Sequence, residues 1–197
     1  MIEVEKKFHI NPETLTTLLK GTKLISDSTI TDTYFDDDVY SLTTHDVWLR
    51  KRDALFELKI PIDNHKGLVT RYREITDEDE IYTILKIKKI KTLAEDLNSN
   101  NIKPFAVLKT QRRTYKKDIF TIDIDDVDYG YALCEIELLV EKPAEVEEAS
   151  QKILAFAKEH DLDLSKKRGK LVEYIYRFRP EHYRVLKQAW SSISSKI

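Results

Sequence analysis

The sequence predicts an α+β protein built on a closed eight-stranded antiparallel β-barrel, with a charged lumen and helices packed outside. Three observations carry that prediction. Eight stretches read as strands, and six of them alternate two different faces with a period of two. The charged residues, of both signs, gather on one face of these strands. Amphipathic helices lie between and after them, and their apolar stripes need an aliphatic surface to cover. Turning the charged faces inward gives the helices that surface on the outside of a barrel.

The expected strands are 2–8, 28–36, 47–52, 54–60, 68–75, 105–116, 118–125 and 131–141. The first sets the pattern: Glu3, Glu5 and Lys7 share one face, and Ile2, Val4 and Phe8 share the other. Alternating charge on a single strand is by itself the mark of a solvated face. The other strands repeat it, however. Trp48, Arg50 and Arg52 share a face; Glu57 and Lys59 oppose Phe56, Leu58 and Ile60; Tyr72 and Glu74 oppose Arg71 and Arg73. Asp123 and Asp125 oppose Phe120, Ile122 and Ile124, while Glu135 and Glu137 oppose Ala132, Cys134, Ile136 and Leu138. Lys6, Lys51 and Arg113 fall on the nominally apolar side, so the pattern is imperfect.

Helix signals fill the gaps. Asn11-Pro12-Glu13 reads as an N-cap, an N1 proline and an acidic first turn, with Gly21 closing that helix. Thr76-Asp77-Glu78-Asp79 opens a second helix, running to about Leu85 and resuming at 92–97. Residues 143–160 carry Val146, Ala149, Ile153, Leu154 and Ala157 at helical spacing. Pro180 starts a terminal helix bearing Tyr183, Leu186 and Trp190, and 171–178 reads equally as strand or helix. Residues 1–190 are expected to form one domain, and 191–197 a frayed tail.

Composition excludes several function classes. Basic residues number 33 against 35 acidic, so no general polyanion surface is expected and nucleic acid is not a predicted partner. The single Cys134 rules out an internal disulfide or a cysteine-cluster zinc site, and the five histidines lack ligand spacing. With four glycines and no glycine-rich phosphate loop, phosphate chemistry would have to rest on side chains projecting from strands. No segment approaches the ~20 apolar residues of a membrane span, and the N-terminus is no signal peptide; a cytoplasmic monomer is expected. Burying so many charges costs several kcal/mol per unpaired ion, roughly, unless ligands complete the set. Carboxylates suit hard Mg²⁺ or Mn²⁺, and Arg and Lys suit phosphate oxygens.

The motifs also carry a resemblance. Glu3-Val4-Glu5-Lys6-Lys7, the E-x-E-x-K pattern, resembles the signature of the CYTH, or triphosphate tunnel metalloenzyme, superfamily. Further matching segments follow in order: Asp32-Thr33-Tyr34-Phe35-Asp36, Trp48-Leu49-Arg50-Lys51-Arg52, Phe56-Glu57-Leu58-Lys59, Ile122-Asp123-Ile124-Asp125, Asp128-Tyr129-Gly130-Tyr131-Ala132, Glu135-Ile136-Glu137, Lys170-Leu171 and Arg177-Phe178-Arg179-Pro180. Within the superfamily the chain is most similar to the animal-type thiamine triphosphatases. That resemblance implies an eight-stranded tunnel in which Glu3, Glu5, Asp123, Glu135 and Glu137 hold Mg²⁺, with Mn²⁺ as a substitute. It implies that Lys7, Arg50, Arg52, Lys59, Arg112 and Lys170 hold the triphosphate, with Arg50, Arg52 and Lys59 assisting catalysis. Tyr34 and Trp48 would contact the organic end.

Two of these assignments keep alternatives. Gln111-Arg112-Arg113 offers two arginines, and a one-residue register change exchanges them. Lys166, Lys167 and Arg168 crowd Lys170, where a solvated basic loop is the other reading. The implied reaction is Mg²⁺-dependent hydrolysis of thiamine triphosphate to thiamine diphosphate and phosphate. An inorganic triphosphatase, a nucleoside triphosphatase or adenylate cyclase, and a non-catalytic polyphosphate-binding module are the alternatives.

Overall fold

A computed structural model describes residues 1–9, 11–63 and 67–194. The strands are β1 (Ile2–Phe8), β2 (Lys23–Asp36), β3 (Trp48–Arg52), β4 (Leu55–Pro61), β5 (Thr70–Ile75), β6 (Lys103–Lys117), β7 (Phe120–Val127) and β8 (Tyr131–Val140). They close into an antiparallel barrel in the order β1-β5-β4-β3-β2-β6-β7-β8. The helices are α1 (Pro12–Leu19), α2 (Ser41–Thr44), α3 (Glu78–Leu85), α4 (Leu93–Ser99), α5 (Val146–Glu159), α6 (Lys170–Phe178) and α7 (Pro180–Ser194). Among the described residues no helix is long and apolar enough to cross a membrane.

Local chemistry explains most boundaries. The side chain of Asn11 caps α1 by accepting from the Thr14 amide at 2.8 Å. Asp77 caps α3 in the same way, and Thr92 with Glu95 forms a capping box on α4. Two tight hairpins differ from the expected strand ends. Ala54, read as the start of a strand, sits in the β3–β4 turn with Asp53 at φ 50°; Asp118 at φ 52° and Ile119 make the β6–β7 turn. Two-residue hairpin turns favour positive φ, and aspartate tolerates it, so the turn wins over the alternation. Gly130 at φ 76° supplies the left-handed residue of the three-residue β7–β8 connection. β2 begins at Lys23, five residues earlier than expected. The ambiguous 171–178 segment is helical, with Leu171 and Ile175 buried one turn apart. Helix α7 runs through Ser194, so residues 191–194 of the expected frayed tail are helical; 195–197 lie outside the described residues.

The chain divides into two compact units, each with its own apolar core. The first comprises residues 1–30, 61–73 and 109–170; the second comprises 31–60, 74–108 and 171–197. In the first, the outer faces of β1, β7 and β8 pack Ile2, Val4, Phe8, Ile122, Ile124, Ile136 and Leu138 against Ala149, Ile153, Phe156 and Ala157 of α5. In the second, Phe35, Leu49, Phe56, Leu58 and Ile75 pack against Ile81 and Tyr82 of α3 and Leu93 and Leu97 of α4. Because the aliphatic faces of these strands are committed to helices, period two turns their charged faces inward. Lys6, on the aliphatic side, is fully buried and donates to the carbonyls of Leu164 at 3.0 Å and Leu68 at 3.4 Å. Burial lowers its pKa.

Candidate active site

The inner faces of β1, β6, β7 and β8 assemble the carboxylates in the first unit. Register fixes who meets whom: Glu5 lies opposite Glu137, Lys7 opposite Glu135, Asp123 opposite Glu135, and Arg112 opposite Asp125. Glu3, Glu5, Asp123 and Glu135 are buried, and Asp125 is wholly so. Arg112 is the hub. It donates from Nε and Nη2 to Asp125 at 2.6 Å each, reaches Glu135 at 2.9 Å, and pairs with Asp123. Burial opposes its charge, but the hydrogen bonds to Asp125 and the fields of Glu135 and Asp123 raise its pKa well above normal.

Lys7 forms an ion pair with Glu5 and lies 3.7 Å from Glu135. Burial pulls its pKa down, yet Glu5, Glu135 and Glu3 more than reverse this and hold the ammonium charged. Lys170, the first residue of α6, buries its side chain and donates to Asp125 at 2.7 Å. The Tyr129 hydroxyl donates to the Lys170 carbonyl at 2.5 Å, tying the helix start to the β7–β8 connection. A Cβ on Gly169 would come within 2.9 Å of Lys7 Cε, so glycine lets this backbone pass close to the Lys7 side chain.

The same donor set suits a hard cation. Burial, together with the charges of Glu3, Asp123 and Glu5, pushes Glu137 up to about 8. Burial also raises Asp123, against the opposing effect of Arg112. Carboxylates that crowd until one retains its proton near neutral pH form an oxygen-donor environment short of positive charge, which Mg²⁺ or Mn²⁺ fits chemically. Among the described residues no three acidic, His or Cys side chains are already arranged as a metal cage. Arg112, Lys7 and Thr114 explain this: they draw Asp123, Glu135 and Glu5 into pairs of their own.

In the second unit the inner faces of β2, β3, β4 and β5 carry a different set. Arg50 is buried, donates from Nε to Glu57 at 2.7 Å, and has Asp32 and Glu74 each at 3.8 Å. Burial disfavours its charge, while Tyr34, Asp32 and Glu57 raise its pKa well above the ordinary range. Arg52 forms a two-pronged pair with Asp32 at 2.8 and 2.9 Å. Lys59 meets Glu74 at 2.9 Å. Buried Tyr34 has a raised pKa, first from desolvation and then from Asp32. Half-buried Trp48 donates its Nε1 to Asp46 at 2.9 Å.

The structure thus brings Glu3, Glu5, Lys7, Arg112, Asp123, Glu135, Glu137 and Lys170 together in the first unit, and Tyr34, Trp48, Arg50, Arg52 and Lys59 in the second. Both open choices are resolved in position. Arg112 points inward; Arg113 points out, at 3.4 Å from exposed Asp126. Lys170 is buried while Lys166 and Arg168 are exposed and Lys167 pairs with Asp163. Four orienting carboxylates escaped the sequence assignments: Asp32, Glu57, Glu74 and Asp125. Asp32, with no exposed surface, stood in a matching segment, but its two-pronged pair with Arg52 requires the fold. Asp125 stood in the charged stripe, but pairing with both Arg112 and Lys170 requires the fold.

The CYTH domain model matches residues 1–168 of this chain. Thiamine-triphosphatase of Homo sapiens is 34% identical over 211 aligned positions, covering 98% of this chain and 92% of that protein. Thiamine-triphosphatase of Macaca fascicularis is 33% identical over 215 positions, with the same coverage. Among solved structures, a Pyrococcus horikoshii protein aligns with a TM-score of 0.59 at 20% identity, over 86% of this chain and 96% of its own. A putative adenylyl cyclase from Hippeastrum, described as having a dominant triphosphatase activity, aligns at 0.54 with 17% identity, over 91% and 97%. At such identities these two structures bear on the fold alone.

Proposed function

The chain belongs to the CYTH family, and from that premise we propose that it hydrolyses thiamine triphosphate to thiamine diphosphate and phosphate with Mg²⁺ as cofactor. The observation that carries this reading is the pre-orientation of the inner bases. Arg50, Arg52, Lys59, Lys7, Arg112 and Lys170 are each held by a carboxylate, and so are charged and aimed before any substrate arrives. The thiamine-triphosphatase names of the mammalian relatives support the choice of substrate.

In this reading the six bases exchange part of their carboxylate pairing for phosphate oxygens and neutralise the charge that spreads over the transferred phosphoryl group. Water adds to the terminal phosphorus, the bond to the bridging oxygen breaks, and the leaving diphosphate keeps that oxygen with its electron pair. Glu3, Glu5, Asp123, Glu135 and Glu137 would hold Mg²⁺, which when bound supplies Lewis-acid polarisation of phosphoryl oxygens. Asp32 and Asp125 orient Arg52, Arg112 and Lys170 throughout. Trp48 contacts the thiamine end by stacking against a cationic ring.

Phosphate release from thiamine triphosphate, tripolyphosphate, ATP and GTP, each with Mg²⁺, Mn²⁺ or chelator, tests this directly. Thiamine triphosphate with Mg²⁺ should be the fastest pair, and Lys59→Ala should lower its turnover about 100-fold without unfolding the chain. A wild-type protein that releases phosphate only from tripolyphosphate would make it an inorganic triphosphatase. One that binds triphosphates without releasing phosphate would make it a binding module.

A further inference from the structure

The chain has two tryptophans, and both lie in the second unit. Trp48 opens β3, two residues before Arg50 on the same inner face. Its indole is fixed at two points. Nε1 donates to Asp46 at 2.9 Å, and the ring meets Trp190 edge to face, with centroids 6.1 Å apart and planes at 78°.

Trp190 reaches that position through α7. His182, Leu186 and Trp190 are spaced i, i+4 and i+8, so they share one face of the helix. His182 hydrogen-bonds Thr43 of α2 at 2.7 Å and stacks on Tyr40 at 3.9 Å. Leu186 is fully buried. The helix is therefore pinned near its start and delivers Trp190 about 12 Å further along. Unlike Leu186, both tryptophans keep part of their surface exposed, so a ligand can reach the pair.

We propose that Trp190 is a specificity-determining residue: together with Asp46 it sets the Trp48 ring, so that the pair grips the cationic aromatic group attached to the triphosphate. The inference rests on the reading of Trp48 given above. The Asp46 carboxylate, accepting from the indole N–H, also makes the ring more electron-rich and so a better partner for a cation. Trp190 meets Trp48, the residue read as contacting the organic group, so its effect is expected at that end of the substrate.

The test compares two substrates. Trp190→Ala should raise KM for thiamine triphosphate about tenfold with kcat changed less than twofold, and should raise KM for tripolyphosphate far less. Trp190→Phe, which restores an aromatic edge, should recover most of the difference. That second variant leaves Trp48 as the sole tryptophan, and titration with thiamine diphosphate should quench its fluorescence. Equal KM changes on both substrates in Trp190→Ala, or no quenching in Trp190→Phe, would overturn the inference while leaving the hydrolase reading intact. Failure of the wild-type protein to hydrolyse thiamine triphosphate would remove the functional reading itself, and this inference with it.

Discussion

Six inner carboxylates of the first unit, Glu3, Glu5, Asp123, Asp125, Glu135 and Glu137, meet three buried or half-buried bases, Lys7, Arg112 and Lys170. In the second unit Asp32, Glu57 and Glu74 are matched one to one by Arg50, Arg52 and Lys59, and the remaining carboxylate on that face, Asp36, accepts from the backbone amides of Leu42 and Thr43 instead. Strand design is the same in both, with an aliphatic face against helices and a charged face opposite. The difference lies in what each charged face lacks. Excess carboxylate in a low-dielectric setting is relieved by a proton, as Glu137 shows, or by a cation. Balanced pairs need neither, and their bases can turn to an anion at the cost of exchanging one partner for another. Under the function proposed above, metal affinity would fall to the first unit, and phosphate and organic-group recognition would draw on the balanced pairs of the second together with Lys7, Arg112 and Lys170.

Removing one hub from each unit is the strongest way to break that comparison. Both Arg112→Ala and Arg50→Ala should lower turnover of thiamine triphosphate, by roughly 100- to 1000-fold. Their stabilities should differ. Loss of Arg112 leaves Asp123, Asp125 and Glu135 sharing Lys7, Lys170 and Thr114, and should cost about 3 kcal/mol in denaturant unfolding, partly restored by Mg²⁺. Loss of Arg50 leaves Asp32 with Arg52 and Glu74 with Lys59 but takes the Arg50 guanidinium from Glu57, and should cost about 2 kcal/mol with no Mg²⁺ rescue. Equal costs in the two variants would mean that the charge imbalance carries no energetic weight.

The second unit has its own pH signature. Desolvation, and then the charge of Arg179, lower His182 to about 4. Its folded value lies below the ordinary 6.5, so the neutral ring stabilises the fold above pH 6.5. That contribution is lost as pH falls from 6.5 towards 4, and full protonation costs about 3 kcal/mol. His182→Gln should therefore flatten the fall in unfolding free energy across that window relative to wild type. Identical pH profiles for the two proteins would show that the Thr43 and Tyr40 contacts survive protonation.

The sequence exposed the barrel because its information is local: each strand writes its two faces at period two, and the caps of α1, α3 and α4 are spelled in Asn11, Asp77 and Thr92. The pieces it missed depend on competition or distance. Ala54 and Asp118 continue an alternation but yield to a two-residue hairpin, and 171–178 needed a packing surface to become helical. Within the site, residue types and faces were legible, whereas partners were not. Choosing Arg112 over Arg113 requires the register with Asp125, and separating Lys170 from its basic neighbours requires burial. The orienting roles of Asp32 and Asp125 are likewise properties of pairs formed across 20 and 45 residues.

The comparison can be sharpened with isosteric changes too small to disturb either core. Asp123→Asn removes a charge from the unit that has carboxylates in excess, and Glu74→Gln removes one from the unit that does not. Both leave side-chain volume unchanged, so differences between them report charge rather than packing. If the first unit holds the metal, Asp123→Asn should raise the Mg²⁺ concentration needed for half-maximal turnover about tenfold, because one anionic oxygen donor is gone. Glu74→Gln should leave that concentration within about twofold and instead change KM for the triphosphate, since Lys59 loses the carboxylate that aims it. Measuring phosphate release as a function of Mg²⁺ at saturating substrate separates the two effects. A tenfold Mg²⁺ shift in Glu74→Gln would place the metal with the balanced set, and the division of labour drawn from the charge count would fail.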